Sequence, residues 1–365
     1  MFATRMAVLG TGLIGGSIAL GARSRNRRLG VVGFDRDADA AASALARGAL
    51  TSVASSLEEA CAGADLIVLA IPVDLMPEVC DRIAAAAPDT AIVTDVGSAK
   101  TAVVEAAEKA FGDRFVGGHP MAGSERHGIE AADARLFEDA WWVLTPTAAT
   151  SSQAYTRVVG LATSLGAKTV AIDPATHDAL VARLSHVPQL TASALVDMAV
   201  TGGDREALLG LAGAGFRDVT RIAASNPDLW VAILRSNRNA VLEALATLEK
   251  RIGWVADIIE SEAWDELKDW LGRARAARLE LFAKPEYGLE PVAIGMLVPD
   301  RPGVLAEVTT EAGRLGTNIE DLRIVHSTEG GRGRLELIVA GEEAAGILSE
   351  ALTKLGYRVE RSELE

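Results

Sequence analysis

A glycine-rich segment near the amino terminus constrains the fold of this chain more than any other feature. Residues 10–15 read Gly-Thr-Gly-Leu-Ile-Gly, directly after an apolar run and before a stretch of helical composition. In that context the glycines allow a tight turn, the close approach of a diphosphate and the close packing of a helix on a strand. Asp35 ends the second apolar run, 20 residues after Gly15, where an acid can bind the hydroxyls of an adenosine ribose. The pattern predicts a dinucleotide site, and a glycine-rich turn without a ligand is the alternative.

The choice of dinucleotide depends on two neighbouring residues of opposite charge. A carboxylate at Asp35 repels the 2′-phosphate of NADP, whereas Arg36 could accommodate it. The acid favours NAD, so we expect NAD as the cofactor. The residues expected to bind it are Gly10, Thr11, Gly12, Leu13, Ile14, Gly15, Asp35 and Arg36.

Short apolar runs alternate with helical segments over the first half of the chain. The runs that we predict to be buried strands are residues 6–9, 31–34, 66–71, 91–94, 115–117, 142–145 and 169–172. Continuous apolar runs separated by helices are typical of βαβ units and of a mostly parallel sheet covered on both faces. We therefore expect an α/β Rossmann dinucleotide-binding domain over residues 1–173.

The pattern changes in the second half. From Ala175 to about Ala283 the sequence contains no β-like run, so we expect an all-α substrate and dimerisation domain over residues 174–285. One of its helices is expected to begin at Pro227 and end at Gly253. A helical block of this size usually buries an apolar face against a second subunit, which predicts a homodimer. Residues 290–365 then show the order βαββαβ, which is typical of a small α+β ferredoxin-like domain.

Charge and cysteine content exclude several classes of protein. The 36 Lys and Arg against 50 Asp and Glu give a formal net charge of −14, which opposes general binding to nucleic acid because phosphate contacts need clustered cations. Cys61 and Cys80 form no CxxC pair, so we expect neither a disulfide framework nor a zinc ribbon. The sequence shows no signal-peptide pattern and no apolar stretch of membrane-spanning length. We expect a cytoplasmic protein with no membrane partner.

Polar residues follow two further strands of the predicted sheet. Residues 95–100 read Asp-Val-Gly-Ser-Ala-Lys, and residues 117–125 read Gly-Gly-His-Pro-Met-Ala-Gly-Ser-Glu. Ligands of a doubly wound sheet lie at the carboxyl ends of its strands. His119 suits removal of a hydroxyl proton during hydride transfer, because an imidazole titrates near neutral pH. The alternatives are that His119 is bonded to backbone in a turn and that Ser98 is only the N-cap of a helix.

The helical region adds three candidate polar residues. Arg221 could bind a carboxylate, because its fork geometry suits bidentate pairing, although a surface ion pair is the commoner role of a single Arg. His177 and His186 are nine residues apart and would not share a helix face. A metal site built from these two histidines is therefore not expected.

Several segments together resemble the prephenate dehydrogenase family, also called the cyclohexadienyl dehydrogenase family. They read GTGLIGGS at 10–17, DVGSAK at 95–100, GGHPMAGSE at 117–125, HD at 177–178, SHVPQ at 185–189 and GFRDVTRIAASNPDLW at 215–230. The resemblance covers residues 6–283 in the family's order. Residues 300–303, Asp-Arg-Pro-Gly, and 316–319, Gly-Thr-Asn-Ile, resemble an ACT domain, which is an amino-acid-sensing module of biosynthetic enzymes.

The resemblance implies a reaction and a set of site residues. The reaction is the NAD-dependent oxidative decarboxylation of prephenate to 4-hydroxyphenylpyruvate, a step toward tyrosine. The implied catalytic residues are His119, which accepts a hydrogen bond from the ring hydroxyl, and Ser98, beside the nicotinamide and that hydroxyl. The implied substrate-binding residues are Arg221, Ser124, Glu125, His177, Ser185 and Gln189. The ACT resemblance implies feedback by an effector, expected to be tyrosine, at Asp300, Arg301, Pro302, Gly303, Asn318 and Ile319.

Gln189 departs from the family pattern, which commonly reads Ser-His-x-Pro-His and here ends in Gln. The departure affects the usual contact to the substrate side chain.

Two alternative functions stay open. One is arogenate dehydrogenase, which performs the same chemistry on a substrate with an amino-acid group. The other is a catalytically silent sensor that binds NAD and an amino acid, against which the joint presence of His119, Ser98 and Arg221 argues.

Overall fold

One large sheet organises the first half of the chain. The computed structural model describes residues 2–122, 128–201, 212–282, 291–299, 304–317, 319–326 and 332–363. The strands of this sheet are β1 (Arg5–Leu9), β2 (Gly30–Phe34), β3 (Ser52–Val53), β4 (Leu66–Leu69), β5 (Ile92–Asp95), β6 (Phe115–Pro120), β7 (Trp141–Thr145) and β8 (Lys168–Ala171). Their order is β3-β2-β1-β4-β5-β6-β7-β8. Neighbouring strands are parallel except β6 and β7, which are antiparallel.

Helices cover both faces of this sheet. They are α1 (Leu13–Arg25), α2 (Ala38–Ala46), α3 (Leu57–Cys61), α4 (Met76–Ala86), α5 (Thr101–Phe111) and α6 (Ser152–Ser164). Alternate residues of β1 belong to two different apolar cores, Met6 and Val8 to one and Ala7 and Leu9 to the other. Both faces of the strand are therefore buried, as the continuous apolar runs predict. The α/β Rossmann class expected from the sequence is confirmed.

The edges of the sheet differ from the sequence-based expectation. Strand β3 is two residues long and too short to produce an apolar run that the sequence could reveal. The last strand was expected to be buried, and that expectation is wrong. Most of β8 is exposed, with Val170 37% accessible, because β8 is an edge strand that pairs with β7 alone.

Helices follow the sheet and form the predicted all-α region. They are α7 (Pro174–Val181), α8 (Val187–Val200), α9 (Ala214–Thr220), α10 (Pro227–Ser236) and α11 (Arg238–Glu260). A π-helix, Ala182–His186, joins α7 to α8, and a 3₁₀-helix, Arg221–Ala224, follows α9. A small apolar cluster of Ala182, Val187, Val241 and Ala244 packs the π-helix and α8 against α11. In the part of the chain that the structure describes, no helix is long and apolar enough to cross a membrane.

The single helix predicted from Pro227 to Gly253 is wrong. The structure has two helices there, because α10 ends at Ser236 and α11 begins at Arg238. Asn237 between them uses its side-chain amide for buried hydrogen bonds. Gly253 lies inside α11, and an isolated glycine within a helix costs about 1 kcal/mol relative to alanine without ending the helix.

The chain divides into two compact units, residues 1–257 and residues 258–365. The second unit contains α12 (Trp264–Phe282), β9 (Pro291–Pro299), α13 (Val304–Arg314), β10 (Ile319–His326), β11 (Arg332–Ala340), α14 (Glu342–Lys354) and β12 (Val359–Glu363). The described strands form an antiparallel sheet in the order β10-β11-β9-β12. Ile294, Leu335 and Leu348 are fully buried between this sheet and its helices. After α12, the elements follow the predicted order βαββαβ.

Candidate active site

The turn between β1 and α1 has the shape that a dinucleotide diphosphate requires. Gly10 has a φ of +95°, and a Cβ on it would lie 2.3 Å from the carbonyl oxygen of Ala70. A Cβ on Gly15 would lie 2.0 Å from the carbonyl oxygen of Gly10, whereas a Cβ on Gly12 would meet nothing within 4 Å. Gly12 is the N-cap of α1 and provides no side-chain hydrogen bond to its first turn. The outer two glycines are thus required by packing, and the middle one leaves room for an anion at a helix N-terminus.

Asp35 lies beside this turn. Its Oδ2 accepts hydrogen bonds from the backbone N–H of Thr11 at 2.7 Å and from the hydroxyl of Thr11 at 3.0 Å. Its Oδ1 accepts a further bond from the backbone N–H of Asp37 at 3.0 Å. These contacts hold the carboxylate next to the glycine turn, and the neighbouring Arg36 is exposed. The residues present therefore fit the adenosine half of NAD, and their individual contacts to it stay a prediction.

A chain of polar groups leads from the protein interior to His119. His119 lies at the carboxyl end of β6, and its Nδ1 is 2.9 Å from Nε2 of His177 on α7. The two rings meet edge to face, with their centroids 5.1 Å apart. His177 Nδ1 is in turn 2.8 Å from Oδ1 of Asp178. His177 and Asp178 are buried, whereas His119 is only partly buried.

The Asp178 carboxylate is fixed by the N-terminus of α5. Its Oδ1 accepts from the backbone N–H of Lys100 at 2.7 Å, and its Oδ2 accepts from the backbone N–H and the hydroxyl of Thr101 at 2.8 and 2.6 Å. Burial alone would raise the pKa of Asp178, but the hydrogen bonds from His177, Thr101 and Lys100 outweigh it and lower that pKa. Asp178 thus caps α5 from a distant segment. The alternative role of Ser98 as the N-cap is wrong, since the N-cap residue is Lys100.

A buried ion pair supports the backbone just before His119. The Lys100 ammonium contacts the Asp95 carboxylate, and both side chains are fully buried. Lys100 Nζ also donates to the carbonyl oxygen of Gly118 at 2.8 Å, while Asp95 Oδ1 accepts from the N–H of Gly118 at 3.1 Å. Burial lowers the pKa of Lys100, and the charge of Asp95 opposes that lowering. Both backbone polar groups of Gly118 thereby contact the Asp95–Lys100 pair, which joins the carboxyl end of β5 to the start of α5.

The surroundings of His119 favour its neutral form. Burial lowers the pKa of His119 well below the ordinary value of 6.5. The nearby His177, Lys100 and His186 lower it further. The negative charge of Asp178 opposes them but does not prevail. The near-neutral pKa expected from the sequence is therefore too high, and His119 is an uncharged hydrogen-bond acceptor at neutral pH.

His186 has a structural position close to this cluster. Its Nδ1 lies 3.2 Å from Nδ2 of Asn237, which also donates to the carbonyl oxygen of Asp178 at 2.9 Å. The ring of Trp230 meets it edge to face, with a centroid distance of 5.9 Å. Burial lowers the pKa of His186 to about 4. This neutral histidine holds the break between α10 and α11 against the π-helix.

The other predicted site residues lie on separate elements. Ser98 is partly buried in the turn between β5 and α5, and Ser185 is partly buried in the π-helix, a type of element frequent at functional sites. Gln189 is buried in the first turn of α8, and its Oε1 has no hydrogen-bond partner among the described residues. Arg221 is exposed on the 3₁₀-helix that packs against α8. Ser124, Glu125, Asp300, Arg301, Pro302, Gly303 and Asn318 lie outside the described residues.

Sequence reasoning brought forward His119 and His177 but missed the residues that support them. Asp178 was seen only as the neighbour of His177, and Lys100 and Asp95 only as parts of a motif. A signal was present in the sequence, because Lys100 stands between a buried strand and a helix. A Lys in such a position is almost never fully buried unless it is paired with an opposite charge. In the described part of the chain, no group of His, Cys, Asp and Glu side chains could hold a metal ion.

Two family models match this chain. The model described as "Prephenate dehydrogenase, nucleotide-binding domain" matches residues 18–171, and the model described as "Prephenate dehydrogenase, dimerization domain" matches residues 173–273. Together they cover more than half of the chain. A prephenate dehydrogenase of Bacillus subtilis is 32% identical over 334 residues, which are 90% of this chain and 90% of that protein.

Solved structures give the same result for the fold. The prephenate dehydrogenase from Aquifex aeolicus, solved in complex with hydroxyphenyl propionate and NAD+, is 31% identical, has a TM-score of 0.72, and the match covers 76% of this chain and 98% of that one. The arogenate dehydrogenase of Synechocystis is also 31% identical, with a TM-score of 0.68 and coverage of 76% and 99%. The chain belongs to the prephenate dehydrogenase family of NAD-dependent dehydrogenases.

Proposed function

We propose that this chain catalyses the NAD-dependent oxidative decarboxylation of prephenate to 4-hydroxyphenylpyruvate. The observation that carries the proposal is His119, a neutral acceptor at the carboxyl edge of the sheet whose first turn fits a dinucleotide. NAD supplies the hydride acceptor. His119 accepts the proton of the ring hydroxyl while the carbon that bears it loses hydride. Loss of carbon dioxide needs no further base, because the ring becomes aromatic as it leaves.

The other residues bind and orient the substrate in this proposal. Ser98 lies in the turn between β5 and α5, and β5 is the strand next to β6. Ser98 is expected to contact both the nicotinamide and the ring hydroxyl. Arg221 is expected to bind a substrate carboxylate through its guanidinium. Ser124, Glu125 and Ser185 are expected to line the pocket. The buried His177 reaches the substrate only through His119, since both of its ring nitrogens are engaged within the protein.

Arogenate is the second candidate substrate, and one observation favours it. Gln189 Oε1 is buried and has no hydrogen-bond partner among the described residues. The ammonium of arogenate could donate to this oxygen, whereas the ketone of prephenate has no hydrogen to donate. The solved relatives include an enzyme named for each substrate at 31% identity. Prephenate stays first because the reacting ring and the Arg221 contact are common to both substrates and the matching family is named for prephenate.

A direct assay tests the proposal. The purified full-length chain is given prephenate or arogenate, each with NAD or NADP, and NADH or NADPH formation is followed by absorbance. We expect turnover of prephenate with NAD, and turnover lower by about 100-fold or more in a His119→Asn variant that still binds NAD. Turnover of arogenate alone would make the chain an arogenate dehydrogenase. Absence of turnover with both substrates would leave the silent sensor as the function and refute the proposal.

A homodimer formed through the helical domain is part of the same proposal. Large apolar side chains of this region are exposed in the single chain, namely Leu184, Met198, Val200, Val219, Leu229, Val231, Leu242 and Ile252. A contiguous exposed apolar patch is typical of an interface, and in this proposal these side chains meet their counterparts in a second subunit. We expect light scattering to give twice the mass of the chain. A Leu184→Glu variant should weaken the dimer, whereas a monomeric wild type would contradict the assignment.

The domain division and the regulatory role of the carboxyl-terminal unit are proposals as well. We assign residues 1–173 to the Rossmann domain, 174–285 to the helical domain and 290–365 to an ACT domain of ferredoxin-like fold that binds tyrosine. The βαββαβ order and the antiparallel sheet support this assignment. Ile319, the one predicted effector residue within the described part of the chain, begins β10 and packs against the core of the unit.

Titration of tyrosine into the full chain and into a chain that ends at residue 285 tests the regulatory role. We expect inhibition of the full chain only. Equal inhibition of both would place tyrosine at the active site, where it resembles the product.

A biosynthetic enzyme that depends on NAD would act in the cytosol, which is the compartment that we propose.

A further inference from the structure

The role of His119 depends on which of its ring nitrogens carries the hydrogen. A neutral imidazole has one N–H donor and one bare acceptor nitrogen, and the hydrogen bond made by one nitrogen sets the state of the other. Nδ1 of His119 faces His177, so Nε2 is the nitrogen left for the substrate. We propose that His177 and Asp178 are positioning residues, which hold His119 in its Nδ1–H tautomer and keep Nε2 bare as the proton acceptor.

The hydrogen-bond directions follow from Asp178 outward. Its carboxylate accepts bonds from Lys100 N, Thr101 N and the Thr101 hydroxyl, so it is surrounded by donors and acts only as an acceptor. His177 Nδ1, 2.8 Å from the same carboxylate, must therefore carry a hydrogen. In neutral His177 the other nitrogen, Nε2, is then bare. It can accept from His119 at 2.9 Å only if His119 carries its hydrogen on Nδ1.

The same chain of bonds stabilises the charge that forms during turnover. This step rests on the proposed function. The O–H bond of the ring hydroxyl breaks, a bond forms between that proton and His119 Nε2, and hydride leaves the carbinol carbon for NAD. The proton returns to the phenolate oxygen once carbon dioxide has left, so the reaction releases no net proton. Between these events His119 is cationic, and Asp178 supplies a negative charge through His177.

The neighbouring Lys100 explains why such support is needed. Its ammonium is buried and donates to Gly118 O, one residue before His119, so it opposes a second positive charge nearby. Asp95 is the carboxylate that pairs with Lys100. Asp178 is the carboxylate that His177 contacts. A serine protease triad uses a buried carboxylate in the same two ways, to fix the tautomer of its histidine and to stabilise the imidazolium.

Nitrogen NMR of the full-length chain tests the tautomer directly and needs no substrate. The protein is labelled with ¹⁵N-histidine, and the His119 signals are identified by their loss in a His119→Asn variant. The expected result is that His119 carries hydrogen on Nδ1 and not on Nε2 at neutral pH. Hydrogen on Nε2 of His119 would overturn the proposal.

Substitution of His177 tests whether it sets this tautomer. In His177→Gln the amide oxygen can still accept from His119 and the amide N–H can still donate to Asp178, whereas His177→Leu can do neither. We expect the leucine variant to lose the Nδ1–H state and to lower kcat about 100-fold, the scale of one acid–base group. The glutamine variant should keep that state and lose about tenfold or less. KM for prephenate and KM for NAD should each change less than threefold in either variant.

A matched control separates positioning from stability. Thr101→Val removes a hydroxyl that donates to the same Asp178 carboxylate at 2.6 Å but lies outside the path to His119. It should lower Tm while leaving the His119 tautomer and kcat close to wild type. Equal loss of kcat in His177→Gln and His177→Leu, or a loss in Thr101→Val as large as in His177→Leu, would reduce His177 to a structural role. If the wild type turns over neither prephenate nor arogenate, the proposed function fails, and the NMR result still decides the tautomer.

Discussion

Replacement of Gln189 by histidine should change the substrate preference of this enzyme. Gln189 is 5% accessible, in the first turn of α8, and its amide oxygen is buried without a hydrogen-bond partner among the described residues. A buried acceptor left unpaired costs about 1–3 kcal/mol. A ligand that donates to this oxygen recovers part of that energy. The ammonium of arogenate can donate, and the ketone of prephenate cannot.

The size of the change follows from one exchanged hydrogen bond. Histidine in the Gln189→His variant can donate to a ketone, and when cationic it repels an ammonium. One exchanged hydrogen bond is worth about 1–1.5 kcal/mol, which corresponds to about tenfold in relative affinity. We therefore expect the kcat/KM ratio of prephenate over arogenate to rise about tenfold.

The assay compares both substrates at saturating NAD in three proteins, namely wild type, Gln189→His and Gln189→Met. Methionine has a similar volume and no amide, so it serves as the matched control. It should lower kcat/KM for arogenate without raising kcat/KM for prephenate. Melting temperatures identify any variant whose fold is damaged. A ratio that is unmoved or falls in Gln189→His would show that this side chain does not read the substrate, and that discrimination lies elsewhere in the pocket.

Four further predictions concern single residues. His119→Asn should lower kcat by about 100-fold or more with an unchanged Kd for NAD, measured by fluorescence titration, and near-normal turnover would remove His119 from the mechanism. Arg221→Ala should raise KM for prephenate by about tenfold to a hundredfold, because a charge-assisted bond is worth about 1.5–3 kcal/mol, and it should lower kcat much less. An unchanged KM would mean that another cation binds the substrate carboxylate. Asp35→Ala should weaken the preference for NAD over NADP in steady-state kinetics, and equal use of both by the wild type would contradict the role of Asp35. Burial lowers the pKa of His186 to about 4, so the folded protein is stabilised above pH 6.5, where this histidine is neutral in both the folded and the unfolded state. Up to about 3 kcal/mol of the free energy of unfolding is lost as the pH falls from 6.5 toward 4. Denaturant unfolding at several pH values should show that the free energy of unfolding depends less steeply on pH in His186→Gln than in the wild type.

The parts of the fold that the sequence could predict are those with local signals. The glycine turn was predictable because its glycines stand at a fixed spacing between an apolar run and a helix, and one of the contacts that require them, Gly15 against Gly10 O, lies within the same βα unit. The βαβ order was predictable because strands buried on both faces give continuous apolar runs. The exposure of β8 was not, since an edge strand is defined by the neighbour that it lacks and not by its own residues.

The supporting residues of the site could not be predicted for a related reason. Asp178 accepts hydrogen bonds from the backbone N–H groups of Lys100 and Thr101 at the start of α5, which lie 78 and 77 residues before it in the chain. Rules about local capping sequences therefore do not apply to it. The break at Asn237 likewise depends on Asp178 and His186, which lie on other elements. Family resemblance identified His119 through its motif. It gave no information about which nitrogen of His119 faces His177.

Asp178 performs two functions with one carboxylate, and that links folding to chemistry. It satisfies the first backbone N–H groups of α5, which belongs to the sheet region, and it accepts from His177 on α7, which belongs to the helical region. Packing of α7 against α5 and the correct state of His119 therefore depend on the same contact. The glycine turn after β1 makes no use of it, because its shape comes from Ala70 and Gly10. Asp178→Asn, which removes the carboxylate from this contact, should consequently reduce kcat before it reduces the binding of NAD, even though no residue that touches the substrate has changed.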